Sequence, residues 1–332
     1  MKKILVIASV MLFGFINANA AMTAPGTNIN NTATLSYEVN SVAQTTVDAS
    51  DAGFVVDRKI DVEVANTDPA KTVDVTPGAT DQELHFTIAN KGNDQEEYTL
   101  SYADIAAGDQ FDPTSCQIDA GAGFVNFTTT ITIAAETNAS VIVQCDIPAQ
   151  GTVHDGDNGT IVLTATVNNR TKANDDVDDP AVVQDIFADG SGETDGNQDG
   201  AHSDRGTYHV VSADLSLAKT SIVTEDPVHA AGGAAEPHRI PGATVRYCFV
   251  VDNNGSADAD NVTITDDFTA DGKDNLTVVK AGYTVQANTT ACDCTADGTD
   301  AGVAAGATNV TITVDPLNAG QRECAYIEAT VN

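Results

Sequence analysis

Residues 214–267 read DLSLAKTSIVTEDPVHAAGGAAEPHRIPGATVRYCFVVDNNGSADADNVTITDD, and this stretch decides the fold class. An alternating apolar run ends in Lys219-Thr220, and a Pro241-Gly242 turn comes later. A second run, 243–251, leads into Asp252-Asn253-Asn254-Gly255, and a third, 261–265, ends in Asp266-Asp267. Alternation at period two places the apolar side chains on one face of each strand, while Pro, Gly, Asn and Asp supply turns between them. Runs of this kind predict an antiparallel β-sandwich.

Upstream, the same pattern recurs at 60–65, 71–75, 83–89, 97–102, 124–133, 140–145 and 160–167. Turn signals separate these runs at Pro77-Gly78, Asn90-Lys91-Gly92-Asn93 and Asp155-Gly156. The passage TPGATDQELHFTIANKGN (76–93) parallels IPGATVRYCFVVDNNGS (240–256), pairing Pro77 with Pro241 and Asn90 with Asn253. That echo points to two copies of one module. The expected fold is all-β: two tandem Ig-like antiparallel sandwiches, 58–168 and 210–332. An N-terminal β-hairpin segment (21–57) precedes them, and an acidic Asp/Gly-rich connector (169–209) separates them. The hairpin arms are 29–39 and 45–56; a lone hairpin is marginal in water, so it must join a sheet, its own or another copy's.

The layout resembles an Ig-like repeat domain of unknown function found in many bacterial cell-surface and cell-wall proteins. Lys219-Thr220, the Pro241-Gly242-x-x-Val245-x-Tyr247 run, the Asn254-Gly255 turn and the strand Asn261-Val262-Thr263-Ile264-Thr265-Asp266 carry the resemblance. It is clearest over 214–332, with a weaker echo over 58–167. The resemblance implies an extracellular structural role. In some surface domains of this kind a first-strand lysine condenses with a last-strand asparagine beside a buried carboxylate. Here Lys219, Asn332 and either Asp266 or Glu328 are the matching residues, with a solvent-facing lysine as the plainer reading.

Residues 1–20 read as a leader: Lys2 and Lys3, an apolar core at 4–16, then Asn17-Ala18-Asn19-Ala20 for cleavage. The apolar run is too short to span a bilayer, so the chain is expected to be secreted or surface-located, with no membrane span after cleavage. Forty-eight acids face 15 bases, a formal charge of −33. Phosphate backbones repel such a chain, which argues against nucleic acid as a partner. Six cysteines in an exported chain read as disulfides. Cys116 and Cys145 form the pair within the first sandwich. Cys248, Cys292, Cys294 and Cys324 leave three connectivities open in the second.

Residues 174–204 hold ten acids and no Lys or Arg. Within them Asp195-x-Asn197-x-Asp199-Gly200 matches the first half of a calcium loop, in which alternate side chains supply hard oxygens. The twelfth position is Gly206 rather than Glu, so Asp204, Asp189 or Glu193 would complete the shell; a solvated acidic loop is the alternative. Asp155 and Asp157 make a second, weaker candidate, since Asx turns produce similar strings. Enzyme signatures are missing: the six histidines lack zinc spacing, and aromatic residues are only 5% with no Trp, too few for carbohydrate platforms. The expected function is a non-enzymatic structural module of the cell surface or matrix, disulfide-locked and stiffened by Ca2+. Its expected partners are other surface or matrix components, or further copies of itself. The alternatives are a filament or lattice subunit that adds its N-terminal strands to a neighbour, and an adhesin that binds through its acidic loops.

Overall fold

The structure, a computed structural model, describes residues 21–105, 108–121, 123, 129–229, 235–269 and 275–332. The expected leader lies outside the described residues. The first elements are six short strands, β1 (Asn28–Ile29), β2 (Thr32–Leu35), β3 (Glu38–Val39), β4 (Val42–Ala43), β5 (Val47–Ser50) and β6 (Phe54–Val55). They pair as β1 with β6, β2 with β5 and β3 with β4, so residues 28–55 form one hairpin. Asn40 and Ser41 close it with φ of 49° and 67°, as the tight turns that match strand twist require. The hairpin pairs with itself, and Leu35, Tyr37 and Val47 stay exposed on it.

The first sandwich comprises β7 (Arg58–Ile60), β8 (Val62–Asn66), β9 (Thr72–Val75), β10 (Gln82–Asn90), β11 (Glu96–Asp104) and β12 (Thr114–Asp119). It continues with β13 (Thr130–Ile133), β14 (Thr137–Asp146), β15 (Asn158–Val167), β16 (Asp185–Phe187) and β17 (Ala201–Val210). One sheet runs β12-β14-β10-β8 and the facing sheet β13-β11-β15-β17-β9. Alternation does the work: Leu84, Phe86 and Ile88 of β10 pack against Tyr98, Leu100, Ile161 and Leu163 from the opposite sheet. Burying each such side chain contributes about 1.5–3 kcal/mol.

Two boundaries and one strand differ from the sequence expectation. The acidic segment 169–209 is not a connector throughout: β17 lies inside the first sandwich, paired antiparallel to β15 and parallel to β9. Val210, expected to open the second sandwich, closes β17 and is buried in the first. Polar Ser203, Asp204 and Gly206 occupy buried positions of β17, which hides it from a search for apolar alternation. Strand β12 also escaped that search, because a bulge between Thr114 and Gln117 breaks its period. Of the expected run 124–133, residues 124–128 lie outside the described residues.

The second sandwich contains β18 (Leu215–Glu225), β19 (Thr244–Asn253), β20 (Val262–Asp267), β21 (Leu276–Ala287), β22 (Thr299–Asp300), β23 (Asn309–Val314) and β24 (Gln321–Val331). Its sheets are β18-β19-β24-β21-β22 and β20-β23. Phe249, Val251, Ile264, Val310, Ile312 and Ile327 lie in the core between them. The echo between the two modules has a structural cause. Asn90 donates Nδ2–H bonds to the carbonyls of Asp94 and Ile133, and its Oδ1 accepts from Gly92 N–H. Asn253 does the same with Ala257, Leu317 and Gly255. A Cβ on Gly92 would meet Lys59 O at 2.3 Å, and one on Gly255 would meet Ser212 O at 2.1 Å. Each Asn-x-Gly therefore fastens the end of a central strand to the facing sheet, at a corner only glycine fits.

Candidate functional site

The acidic loop between β16 and β17 folds upon itself. Asp189 is buried, and its two oxygens accept the amides of Asp199 and Gly200 at 3.0 and 3.1 Å. Burial pushes its carboxyl up, against the downward pull of those amides. Asp195 accepts Gly192 N–H and the Ser203 hydroxyl, Asn197 accepts Ser191 N–H, and Asp199 accepts the amides of Gly196 and Ala201. Asp204 faces elsewhere, taking Asn66 N–H and the Lys71 ammonium at 2.6 Å. No three of the carboxylates of Asp189, Asp195, Asp199 and Asp204 bring oxygens within 4.8 Å of one another. The D-x-N-x-D-G string here builds interlocked turns, with its oxygens satisfied by backbone donors.

Asp155, the weaker calcium candidate, sits at the junction of the two sandwiches. It accepts Ser212 N–H at 2.7 Å and both the amide and hydroxyl of Ser256. Partial burial raises its carboxyl, and these three hydrogen bonds outweigh that and hold it below the usual range. Asp157 accepts the amide of His154. These two acids serve a turn and an interdomain latch.

Lys219 reaches from β18 to β20, where its ammonium contacts both Asp266 oxygens at 2.9 and 2.7 Å and lies 5.0 and 5.2 Å from the Tyr247 and Phe249 rings. Asn332 bonds Thr277 at the other end of the sheet. Because Lys219 lies level with Ala325 across β19, seven residues of extended chain, about 23 Å, separate that row from Asn332. Glu328 is engaged by Arg246 on the outer face. The structure joins Lys219 to Asp266 but brings neither Asn332 nor Glu328 to them.

The cysteines are all paired. Cys116–Cys145 links β12 to β14 at the bulge. In the second sandwich Cys248 bonds Cys294 and Cys292 bonds Cys324, so each strand cysteine takes one cysteine of the loop after β21. Arg246 reinforces this clamp: its guanidinium contacts Glu328 and Asp297, donates to the carbonyls of Cys294 and Ala296, and stacks 4.3 Å from the Tyr326 ring centroid. A cavity of about 290 Å³ remains beneath the loop, lined partly by the four cysteines.

Two acidic groupings were missed by sequence reasoning. Asp226 accepts the amides of Val228, His229 and His238, while the His229 ring lies 3.1 Å from it. Burial raises the Asp226 carboxyl, but the His238 amide and the other donors prevail and hold it low. The two histidines are nine residues apart, so no zinc spacing announced the cluster. Asp104, Asp109 and Asp112 also converge. Burial, with Asp112 and Asp109 close by, pushes Asp104 up to about 6.

No family model matches the chain, and no curated protein is similar to it. Among solved structures it aligns with a collagen adhesin from S. aureus, over 82% of this chain and 80% of that one, at 10% identity and a TM-score of 0.24. A two-domain protein of unknown function from Bacteroides fragilis NCTC 9343 aligns over 82% and 95%, at 9% identity and a TM-score of 0.26. Likenesses this loose leave the reading to the chain's own strands and contacts.

Proposed function

We propose that the chain is a non-enzymatic structural module of the bacterial cell surface or extracellular matrix, exported and locked by disulfides. The pairing of all six cysteines carries this reading, because disulfides persist in oxidising compartments and are rare in reducing ones. The leader-like first twenty residues and the acidic surface support it, the latter by keeping an exported chain soluble. No helix among the described residues is long and apolar enough to cross a membrane. In this reading the acidic loop braces the module, with Asp189, Asp195 and Asp199 accepting the loop's own amides.

The test is expression of the whole chain in a bacterium, followed by fractionation, thiol alkylation and intact-mass measurement. The expected product is processed after Ala20, lies outside the cytoplasm and takes up no alkylating reagent. An unprocessed cytoplasmic chain with reactive thiols would refute the proposal.

A further inference from the structure

The two sandwiches are built alike on one side and differently on the other. Strand β11 carries β13 on one edge and β15 on the other. Its counterpart β20 carries β23 on one edge and, among the described residues, no strand on the other. In the first sandwich β15 and β17 form an antiparallel ribbon beside β8, whose Val62 and Val64 are 1% and 2% exposed. Val62 lies opposite Asn90, as Leu215 lies opposite Asn253, so Leu215 and Leu217 are the equivalents of Val62 and Val64. They are 46% and 63% exposed. Leu217 sits opposite Val251, on the core-facing side of its sheet. The apolar face covered by a ribbon in one module is bare in the other, where the Lys219–Asp266 ion pair reaches across.

The missing ribbon has a copy elsewhere in the chain. Thr32-Ala33-Thr34-Leu35 repeats Thr164-Ala165-Thr166-Val167, and Ser50-Asp51-Ala52-Gly53 repeats Ser203-Asp204-Arg205-Gly206. The pairing repeats as well: Thr32 lies opposite Ser50, as Thr164 lies opposite Ser203. Gly53 precedes Val62 by the same nine positions as Gly206 precedes Leu215. The N-terminal hairpin is therefore a second version of the β15–β17 ribbon, with a two-residue turn at the place of the acidic excursion. It stands free of any sandwich core, with Leu35 60% exposed.

We propose that the bare side of the second sandwich is filled by the N-terminal hairpin of another copy of this chain, joining copies head to tail by strand addition. Ile29, Ala33 and Leu35 then take the places of Ile161, Ala165 and Val167 and cover Leu215 and Leu217. Charge agrees with this fit. Residues 21–57 contain four acids and no Lys or Arg. Asp51 stands for Asp204, whose Oδ2 accepts the backbone amide of Asn66; the counterpart of Asn66 is Lys219, whose ammonium is half exposed and shared with Asp266. The hairpin departs from the ribbon at Asn30, Asn31 and Asp57, which stand where Val162, Leu163 and Val210 are buried, so its match is closest over 32–35 and 50–53. The hairpin of the same chain is badly placed for this. It joins the Asn90 end of the first sandwich, where Asn93 donates to Thr23 O and Asp57 O, whereas the second sandwich joins the opposite end at Asp155. Nine residues of β10, about 30 Å, lie between. This goes beyond the surface-module reading, which stands whether or not copies join.

Light-scattering mass of the leader-free, oxidised chain tests the proposal, together with Leu35→Asp in the hairpin and Leu217→Asp on the bare face. Both sites are exposed within one chain, so each variant folds. The wild type is expected to grow in mass with concentration, while each variant alone stays at the mass of one chain. Mixing the variants restores one intact hairpin and one intact face, so the mass doubles and stops there. A wild type that remains one chain at every concentration overturns the proposal, as does a mass that neither substitution changes.

Discussion

Glu323 offers the sharpest energetic test of the second sandwich. It lies in β24 opposite Val251 and Val285, is 0% exposed, and neither carboxyl oxygen has a hydrogen-bond partner. Burial alone pushes its pKa from 4.5 up to about 7. Below pH 4.5 the folded and unfolded chains both hold the proton, and the group has no effect on the equilibrium. Between pH 4.5 and 7 the unfolded chain releases it while the folded chain retains it, so stability falls as pH rises. Above pH 7 the loss is complete, at about 3 kcal/mol for a shift of this size. Glu323→Gln keeps the shape and polarity of the protonated acid and removes the ionisation. The variant should match wild type at pH 4 and exceed it by about 3 kcal/mol at pH 8, roughly 10 °C in melting temperature for a domain of this size. Scanning calorimetry of both proteins from pH 4 to 8 measures this. A constant gap between the two melting curves at every pH would refute the reasoning, because only ionisation of a desolvated carboxyl makes the gap grow.

Other outcomes follow from the fastenings already described. Asn253→Ala strands two carbonyls and the Gly255 amide at a buried corner, which should cost roughly 3 kcal/mol; a loss below 1 kcal/mol in denaturant titration would mean that water fills in for the side chain. Replacing Cys292 and Cys324 by serine opens a closure of 32 residues, with an expected loss of about 3 kcal/mol and faster proteolysis of residues 288–298. Equal protease lifetimes would show that the Cys248–Cys294 bond and Arg246 hold that loop without the second disulfide. Adding calcium or a chelator should leave the melting temperature unchanged, and Asp195→Ala should destabilise by about 1 kcal/mol in either condition. A calcium-dependent rise that disappears in Asp195→Ala would show that the loop binds the ion after all.

Strands that bury a regular apolar face were legible in the sequence, and β10, β19 and β20 are examples. There, one side of the strand meets a core, so alternation is enforced residue by residue. The candidate sites were less legible, because the same string serves two ends. Asp195, Asn197 and Asp199 satisfy a calcium-loop spacing, yet that spacing also suits Asx turns, and only the positions of Gly192, Gly196 and Ser203 show which use is made of the oxygens. Disulfide connectivity in the second sandwich was open for a related reason. Cys292 and Cys294 are near neighbours in the chain, and which strand cysteine each reaches depends on how the loop crosses the outer face.

The domain boundaries failed for a different reason, one that bears on assembly. Pattern reading groups contiguous residues, so the ribbon β15–β17 was split between a sandwich and a connector. Its tip had grown into the acidic excursion, and its return strand carries Ser203, Asp204 and Gly206 where apolar residues were sought. Closure of a sandwich is not a contiguous property. The β15–β17 ribbon precedes the second sandwich by the same nine residues that separate the hairpin from β8, yet it packs in the first sandwich. Once that phase is recognised, a free hairpin before the first sandwich and a bare face on the second are one fact seen at two ends. Edge strands with exposed apolar neighbours are a standing hazard for uncontrolled pairing. A chain that carries both complementary pieces at opposite ends, with acids on the donor and Lys219 on the acceptor, turns that hazard into an ordered head-to-tail contact.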